Sequence, residues 1–415
     1  MDVEKIKTTI CIIGAGPAGT TASIFLGKMG ISHVIVDAAE FPRDKICGDG
    51  LDLNAVRVLN HIDPEIVRNE IIPNKKNFTT SSGLRFILPS GKQVDIMNQA
   101  DGKRNVHNKM PVFFVSKRSD FDNLLVNKID RSIGDARFAT RIEKITKEGN
   151  TWRLEGSGPS GKIEIETGFL VGADGDHSIV LKYLGERRID RNYYAGAVRQ
   201  YWKGVEGLHR ENLLEVYFPK SLPFSYFWIF PLPGGEANVG FGMASNHIAK
   251  KNINVRKAFE DLIKTDPVLT KRFQHAHSLE SVKGWGIPLS GGGRKAHGDG
   301  WLLLGDAASV VCPSSGEGVG SGMISGYIAA KFLQQATHHN DFSEKMFTNY
   351  DREIRKRLIS EEKYFRFLNN LPGWAFSKGI STVISNRFFK NWLSTKGMSR
   401  WAETAYNKEI EVKFI

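Results

Sequence analysis

The sequence predicts an α/β protein: a parallel-sheet domain built from separate stretches of the chain, an antiparallel β-sheet domain, and a C-terminal helical segment. Three observations carry the prediction. The chain opens on an apolar, β-branched run that passes through a GxGxxG turn into a helical pattern and then a second apolar run ending in Asp37. From about residue 190 to 285, the stretches AVRQYW, LLEVYF, YFWIF and ANVGFGM alternate between Gly/Pro turns, as antiparallel strands do. Beyond Phe342 the spacing is helical throughout;.

The opening unit is the most informative. Thr9–Ile13 reads as a buried parallel strand;. Gly14 allows the tight turn, Gly16 lets the backbone approach a pyrophosphate, and Gly19 lets helix and strand pack closely;. Pro17 suits the first helical turn and Gly30 its end;. His33–Val36 is the second strand, and an acid after it, Asp37, hydrogen-bonds a ribose hydroxyl while the helix N-terminus faces phosphates;. Strand, turn, helix, strand and acid in order predict a Rossmann-like site for an ADP-containing cofactor. They leave NAD and FAD open.

Length and composition set the frame. A chain of 415 residues can bury a sizeable core, and two domains are the natural expectation;. Three cysteines give no disulfide framework, the N-terminal MDVEKIKTT is unlike a signal peptide, and no apolar run reaches transmembrane length, so the expected location is cytoplasmic. The formal charge of +12 favours anionic partners;. No recognition-helix or zinc pattern accompanies it, so no nucleic-acid partner is expected. From Asp351 to Ile415 there are 13 Lys/Arg against 7 Asp/Glu, interleaved with aromatics, which marks this segment for a peripheral contact with an anionic membrane surface.

In chain order, the loop Phe41–Gly50 precedes a helix around Asn54–Leu59, and residues 76–98 read as short strands;. Val112–Val115 is a strand, and a helix follows with Ser119 as its cap;. A β-meander is expected from Arg137 to Phe169, one helix near Val255–Ile263 within the antiparallel region, an apolar strand at Trp301–Leu304, and a helix ending near Leu333. The domain expectation is 1–75, 99–189 and 286–340 for the cofactor domain, 76–98 and 190–285 for the substrate sheet, and 341–415 for the helical segment.

Arg118 at a helix start, GADGDHS at 172–178 and GDAA at 305–308 each repeat the pattern of a strand or turn and a polar residue near a helix start. Together with GAGPAG they resemble flavoproteins of the p-hydroxybenzoate hydroxylase fold, over roughly residues 5–335. Within that fold the chain is similar to the geranylgeranyl reductase family. Pro223-Phe-Ser-Tyr226-Phe-Trp228-Ile-Phe230-Pro231 fits PxxYxWxFP at every fixed position, CGDG at 47–50 resembles its Cys-Gly loop, and PSSGEG at 313–318 its Pro-x-x-Gly-Glu-Gly segment.

The resemblance implies FAD as cofactor, with contacts at Gly14, Gly16, Pro17, Ala18, Gly19, Asp37, Ala38, Arg43, Cys47, Gly48, Arg118, Asp174, Gly175, Gly305, Asp306, Gly316, Gly318 and Val319. It implies substrate contacts at Tyr226, Trp228, Phe230 and Pro231. The implied reaction is reduction of carbon–carbon double bonds in a long apolar, isoprenoid substrate by hydride from reduced flavin N5. NAD(P)H, a ferredoxin or free reduced flavin are the candidate electron donors, and no residue is singled out as catalytic.

The residues support this independently. Tyr226 and Trp228 share one strand face, with Ser225, Phe227 and Ile229 on the other;. Such a wall suits a hydrocarbon, with phenol and indole as polar handles, although plain sheet core is the competing reading. The glycines around Glu317 permit approach to a flat ring, and the next helix would aim its positive end at the flavin;. Cys47 and Cys312 are either a redox pair or two ordinary small residues;. Lys75, Lys76 and Arg85 are candidates for a substrate phosphate, with solvent exposure the simpler reading. His177 and His297 have no companions at metal-ligand spacing, so no metal is assigned;. A flavin monooxygenase is the first alternative on the same fold. A halogenase ranks lower because Tyr226 and Phe230 depart from WxWxIP, and a non-catalytic flavin-bound lipid carrier is supported only by the basic C-terminal helices.

Overall fold

The computed structural model describes residues 3–98, 110–407 and 409–414. The domain boundaries expected at 1, 99 and 415 lie outside them. Glu4–Ile13 forms the middle of the first sheet, pairing in parallel with Gly161–Gly172 on one side and His33–Val36 on the other. Trp301–Leu303 and Gly134–Arg137 extend the sheet outward, again in parallel. Ile10, Cys11 and Ile12 are fully buried, as expected of a strand covered on both faces. The helices Pro17–Lys28 and Val319–His339 pack against each other, and a Cβ on Gly326 would lie 2.2 Å from the Ala18 carbonyl oxygen. Small residues thus let the two helices touch backbone to backbone. The meander forms from Arg141–Glu148, Thr151–Gly158 and Gly161–Gly172, and its last strand continues into the parallel sheet.

The second sheet runs His277–Ser278, Tyr194–Lys203, Glu236–Ala244, Ser225–Leu232, Leu214–Tyr217, Gly83–Ile87, Gln93–Met97. One face carries Phe227, Val239 and Phe241 into a core with Phe259 and Phe273 from the covering helices. Lys283–Pro288 also pairs with Tyr194–Lys203, so this sheet crosses the boundary expected at 285. Thr79–Ser81 does not join it. It pairs with Phe113–Val115, which also pairs with Gly50–Leu51, in a separate three-stranded sheet.

Three helices, Ser245–Lys251, Val255–Thr265 and Pro267–Phe273, stand where one was expected. The first buries no residue, so it lacks an apolar stripe. The last is announced by Asp266, which accepts from the N–H groups of Val268 and Leu269, and by Pro267 at the first helical position;. Ser119 likewise is no cap: the helix Arg118–Val126 begins before it. Val319–His339 continues six residues past Leu333, ending where Asn340 turns left-handed at φ 50°;.

After Phe342 come Tyr350–Arg355, Ile359–Asn369, Gly373–Ser385, Arg387–Trp392 and Met398–Asn407. Among the described residues no helix is long and apolar enough to cross a membrane.

Candidate active site

The parallel sheet ends at a cavity of about 490 Å³, within the ~300–1,000 Å³ span of cofactor sites. Gly14 turns at φ +105°, where a Cβ would meet the Ala173 carbonyl oxygen at 2.4 Å. Glycine is therefore required. Asp37 accepts from the backbone N–H of Ala15 at 2.7 Å and of Ala39 at 2.8 Å. Its carboxylate is fixed at the cavity wall with lone pairs to spare for a hydroxyl. Every residue expected to meet the cofactor lines this cavity except Gly19. A Cβ there would strike the Gly14 carbonyl oxygen at 1.9 Å, so Gly19 serves helix-to-strand packing.

The polar groups of the cavity wall are incompletely paired. Arg118 forms two bonds to Asp122, at 2.6 and 2.8 Å, and Arg43 reaches the same carboxylate at 3.0 Å. Asp174 accepts from Ile179 N at 2.7 Å, but its other oxygen has no partner, and burial pushes the carboxyl up to about 6. Burial also raises Asp306, with the Lys45 charge opposing. Lys45 itself has a buried, unbonded Nζ that lies 3.2 Å from the centroid of the Trp285 ring. Buried polar atoms are rarely left unpaired, and these stand in residues that border one cavity. A helix N-terminus, cations and ordered carboxylates fit the phosphates, ribose and polar ring edge of FAD.

A second polar chain anchors the CGDG loop. The Trp228 indole donates to Asn238 Oδ1 at 2.8 Å, and the Asn238 amide donates to the Cys47 carbonyl and to Asp49 Oδ2, both at 2.8 Å. Tyr201 also donates to Asp49 Oδ2 at 2.8 Å. Burial raises Asp49 to about 6 despite these two donors, and its φ of 64° is a left-handed conformation that Asp tolerates better than most;. The loop is thereby tied to the strand that carries Trp228.

On the far side of the PSSGEG segment lies a second cavity, of about 410 Å³, between the helices beyond Ile359 and the second sheet, which is antiparallel except where Leu214–Tyr217 pairs in parallel with Gly83–Ile87. Its wall is mostly apolar, including Phe86, Phe218, Met243, Leu289, Phe365 and Ile380. The two cavities share Ile287 and Gly316. Trp228 faces the first and Tyr226 the second, with ring centroids 5.9 Å apart. Tyr226 donates to the Ser315 carbonyl at 3.0 Å, and its phenol is pushed up to about 12 by burial.

Several expectations change. Phe230 and Pro231 line neither cavity: Phe230 packs on Gly48 and Gly50, and strand alternation puts Pro231 on the face opposite Tyr226;. Arg85 is buried and paired with Asp95 at 2.7 and 3.0 Å, so it is neither exposed nor free for a phosphate; Lys75 and Lys76 are exposed. Cys47 and Cys312 are free thiols, and burial raises Cys47 against the pull of Arg118, contrary to the lowered pKa of a reactive thiol;. His177 borders the cofactor cavity, edge-on to Trp285 at 4.9 Å, while His297 sits 3.2 Å from Asp351. No group of three or more metal-ligating side chains occurs among the described residues. Lys45, Asn238 and Trp285 went unrecognised in the sequence. Only the position of Lys45 inside PRDKICGDG hinted at the site.

A family model described as an FAD binding domain matches residues 7–358. The chain belongs to this FAD-binding family. It is an FAD-dependent oxidoreductase, which settles the cofactor left open by GAGPAG. Similar curated proteins include the digeranylgeranylglycerophospholipid reductase of Methanocaldococcus jannaschii, 27% identical over 369 residues, covering 87% of each chain. The menaquinone reductase of Mycolicibacterium smegmatis is 27% identical over 340 residues, covering 79% of this chain and 76% of that one. A geranylgeranyl bacteriochlorophyll reductase-like structure from Thermoplasma acidophilum superposes with a TM-score of 0.78 at 21% identity, covering 98% of both chains. That likeness shows the fold, and the named relatives bear out the resemblance to geranylgeranyl reductases.

Proposed function

We propose that this FAD-dependent oxidoreductase reduces carbon–carbon double bonds in a long isoprenoid lipid. The observation that carries the reading is the apolar 410 Å³ cavity meeting the cofactor cavity at Ile287 and Gly316, with Tyr226 and Trp228 side by side at the junction. A chain of CH₂ and CH₃ groups is the ligand such walls favour. The names of the curated relatives agree with a reducible prenyl substrate.

Asp37 would hold the adenosine ribose, the Gly14–Ala18 turn the pyrophosphate, and Gly48, Gly316 and Gly318 would border the flavin. When bound and reduced, FAD would supply a hydride to one alkene carbon, and a proton from solvent or a protein group would complete the reduction at the other. The protein's own contribution is positional. The Trp228–Asn238–Asp49 chain fixes the indole and the Cys47–Gly48 loop together, and Tyr226 is oriented by the Ser315 carbonyl. Apolar walls exclude water and confine the alkene to the junction.

Anaerobic incubation of dithionite-reduced enzyme with a geranylgeranyl lipid tests this. Products should gain two hydrogens per reacted double bond, with flavin reoxidised in proportion. Failure with every prenyl lipid and diphosphate offered removes the assignment; product formation only with oxygen would favour a monooxygenase. Bleaching of the flavin by NADPH or by reduced ferredoxin identifies the donor.

A further inference from the structure

We propose that the helices between Ile359 and Trp392 form a docking face for an anionic lipid bilayer, from which the apolar cavity is filled. The first part stands on this surface alone; the second rests on the lipid-reductase reading. Seven of the twelve exposed large apolar side chains among the described residues fall in this short segment. Phe388 is 87% exposed, Trp374 72%, Phe367 64% and Trp392 50%. Soluble surfaces do not ordinarily gather such residues, and a cluster rimmed by polar groups marks an interaction site.

The charge of the same stretch names the partner. Residues 359–392 contain five Lys/Arg against two acids, Glu361 and Glu362, which accept from Ser314 and Ser290. Lys363, Arg366, Lys378 and Arg387 are exposed beside the aromatics. A second copy is disfavoured as occupant, because a two-fold contact would set this cationic face against itself. Exposed Trp and Phe with Lys and Arg on short amphipathic helices match the headgroup boundary of an anionic membrane, where rings enter the acyl edge and cations meet phosphates.

The face is also the outer wall of the cavity. Tyr364 and Val383 line the cavity and are themselves exposed, at 48% and 42%. Phe389 lines it with its ring 6.3 Å from that of exposed Trp392. A prenyl chain leaving a bilayer pressed on these helices would pass between apolar side chains without crossing water.

Vesicle flotation tests the docking with the full chain. Vesicles of phosphatidylcholine containing phosphatidylglycerol should carry the protein, pure phosphatidylcholine should not, and salt near 0.5 M (order of magnitude) should release it. The exposed-residue variant Trp374→Ser/Phe388→Ser/Trp392→Ser and the charge variant Lys378→Glu/Arg387→Glu should each lower the bound fraction about tenfold. Both should retain the flavin spectrum and turnover of detergent-dispersed substrate, since none of these residues lines either cavity. No flotation with anionic vesicles at low salt overturns the proposal, as does flotation unchanged in both variants. Concentration-dependent self-association lost in the Ser variant, without vesicle binding, assigns the face to a second copy and overturns it too. The vesicles hold no substrate, so failure of the reductase assignment leaves this readout intact.

Discussion

The ammonium of Lys45 rests 3.2 Å from the centroid of the Trp285 ring, buried and without a hydrogen bond, at the wall of the cofactor cavity. The ring face attracts the cation but does not replace its lost hydration. Burial pulls the amine from 10.5 to about 8, with Asp306 resisting the shift. The charged form is therefore disfavoured in the apoprotein, whose stability should rise as pH climbs from about 8 towards 10.5;.

An anionic cofactor beside Lys45 reverses that preference and takes up a proton on binding. FAD affinity should accordingly fall as pH rises above about 8, by up to roughly tenfold per pH unit, and Lys45→Met should show a flat profile. Titration of the apoprotein with FAD, followed by flavin fluorescence between about pH 7 and 9.5, reads this directly. A wild-type profile as flat as that of the variant would remove Lys45 from cofactor binding.

Trp228 leaves room for nothing on the neighbouring strand. A Cβ on Gly240 would stand 2.1 Å from Cζ2 of the indole, which is held at Asn238 by its N–H. Gly240→Ala must displace the ring and break that bond, at a cost of about 1–3 kcal/mol. Turnover should fall about tenfold or more through misplacement of the junction. Gly284→Ala is the control, because its Cβ would meet Val198 Cγ1 at an ordinary 3.6 Å. Thermal unfolding and steady-state turnover of both variants decide the matter; wild-type turnover in Gly240→Ala would show that the indole position is immaterial.

Asp37 accepts from Ala15 N and Ala39 N, and its proposed second role is to accept from a ribose hydroxyl with the lone pairs that remain. Asp37→Ala leaves two N–H groups unanswered, so the apoprotein should lose about 1–3 kcal/mol and FAD affinity should drop a further ten- to hundredfold, by rough estimate. Apoprotein melting and FAD titration separate the two effects. Unchanged affinity would move the ribose contact elsewhere.

The opening unit was legible because its chemistry is local: strand, turn glycines, helix and acid are contiguous, and spacing alone fixes their relation. Lys45 was not, since its meaning comes from Trp285 on a distant strand. Motif membership alone did not place Phe230 and Pro231: alternation turns Pro231 to the face opposite Tyr226, while Phe230 keeps the Tyr226 face but packs on the distant Gly48 and Gly50;. The helices from Ile359 were recognisable as helices, but their apolar residues divide between a cavity wall and an exposed face, and periodicity does not separate the two. The Asp266–Pro267 helix start was present in the sequence and needed only the capping rule to be found;.

Asp52 and Glu317 come from separate loops and meet over Gly320, where a Cβ would lie 2.2 Å from Asp52 Oδ1. Glu317 accepts from Gly320 N and, at 3.0 Å, from Ser321 Oγ, while Asp52 accepts from the N–H groups of Asn54 and Ala55, each at 3.1 Å. Burial raises both carboxyls, and the Asp52 charge raises Glu317 further. The folded protein thus holds a proton that the unfolded chain releases near pH 4.5. Stability from this pair is greatest in acid and declines as pH rises through the folded value of Glu317. Glu317→Gln keeps an acceptor for Gly320 N–H and removes the charge, so its melting temperature should exceed that of wild type by roughly 1–3 °C at neutral pH, with the gap closing in acid. Asp52→Asn, which retains a competent cap, should act in the same direction. Melting curves that run parallel from about pH 5 to 8 in wild type and Glu317→Gln would show that the two carboxyls do not share a proton at the start of the Val319–His339 helix.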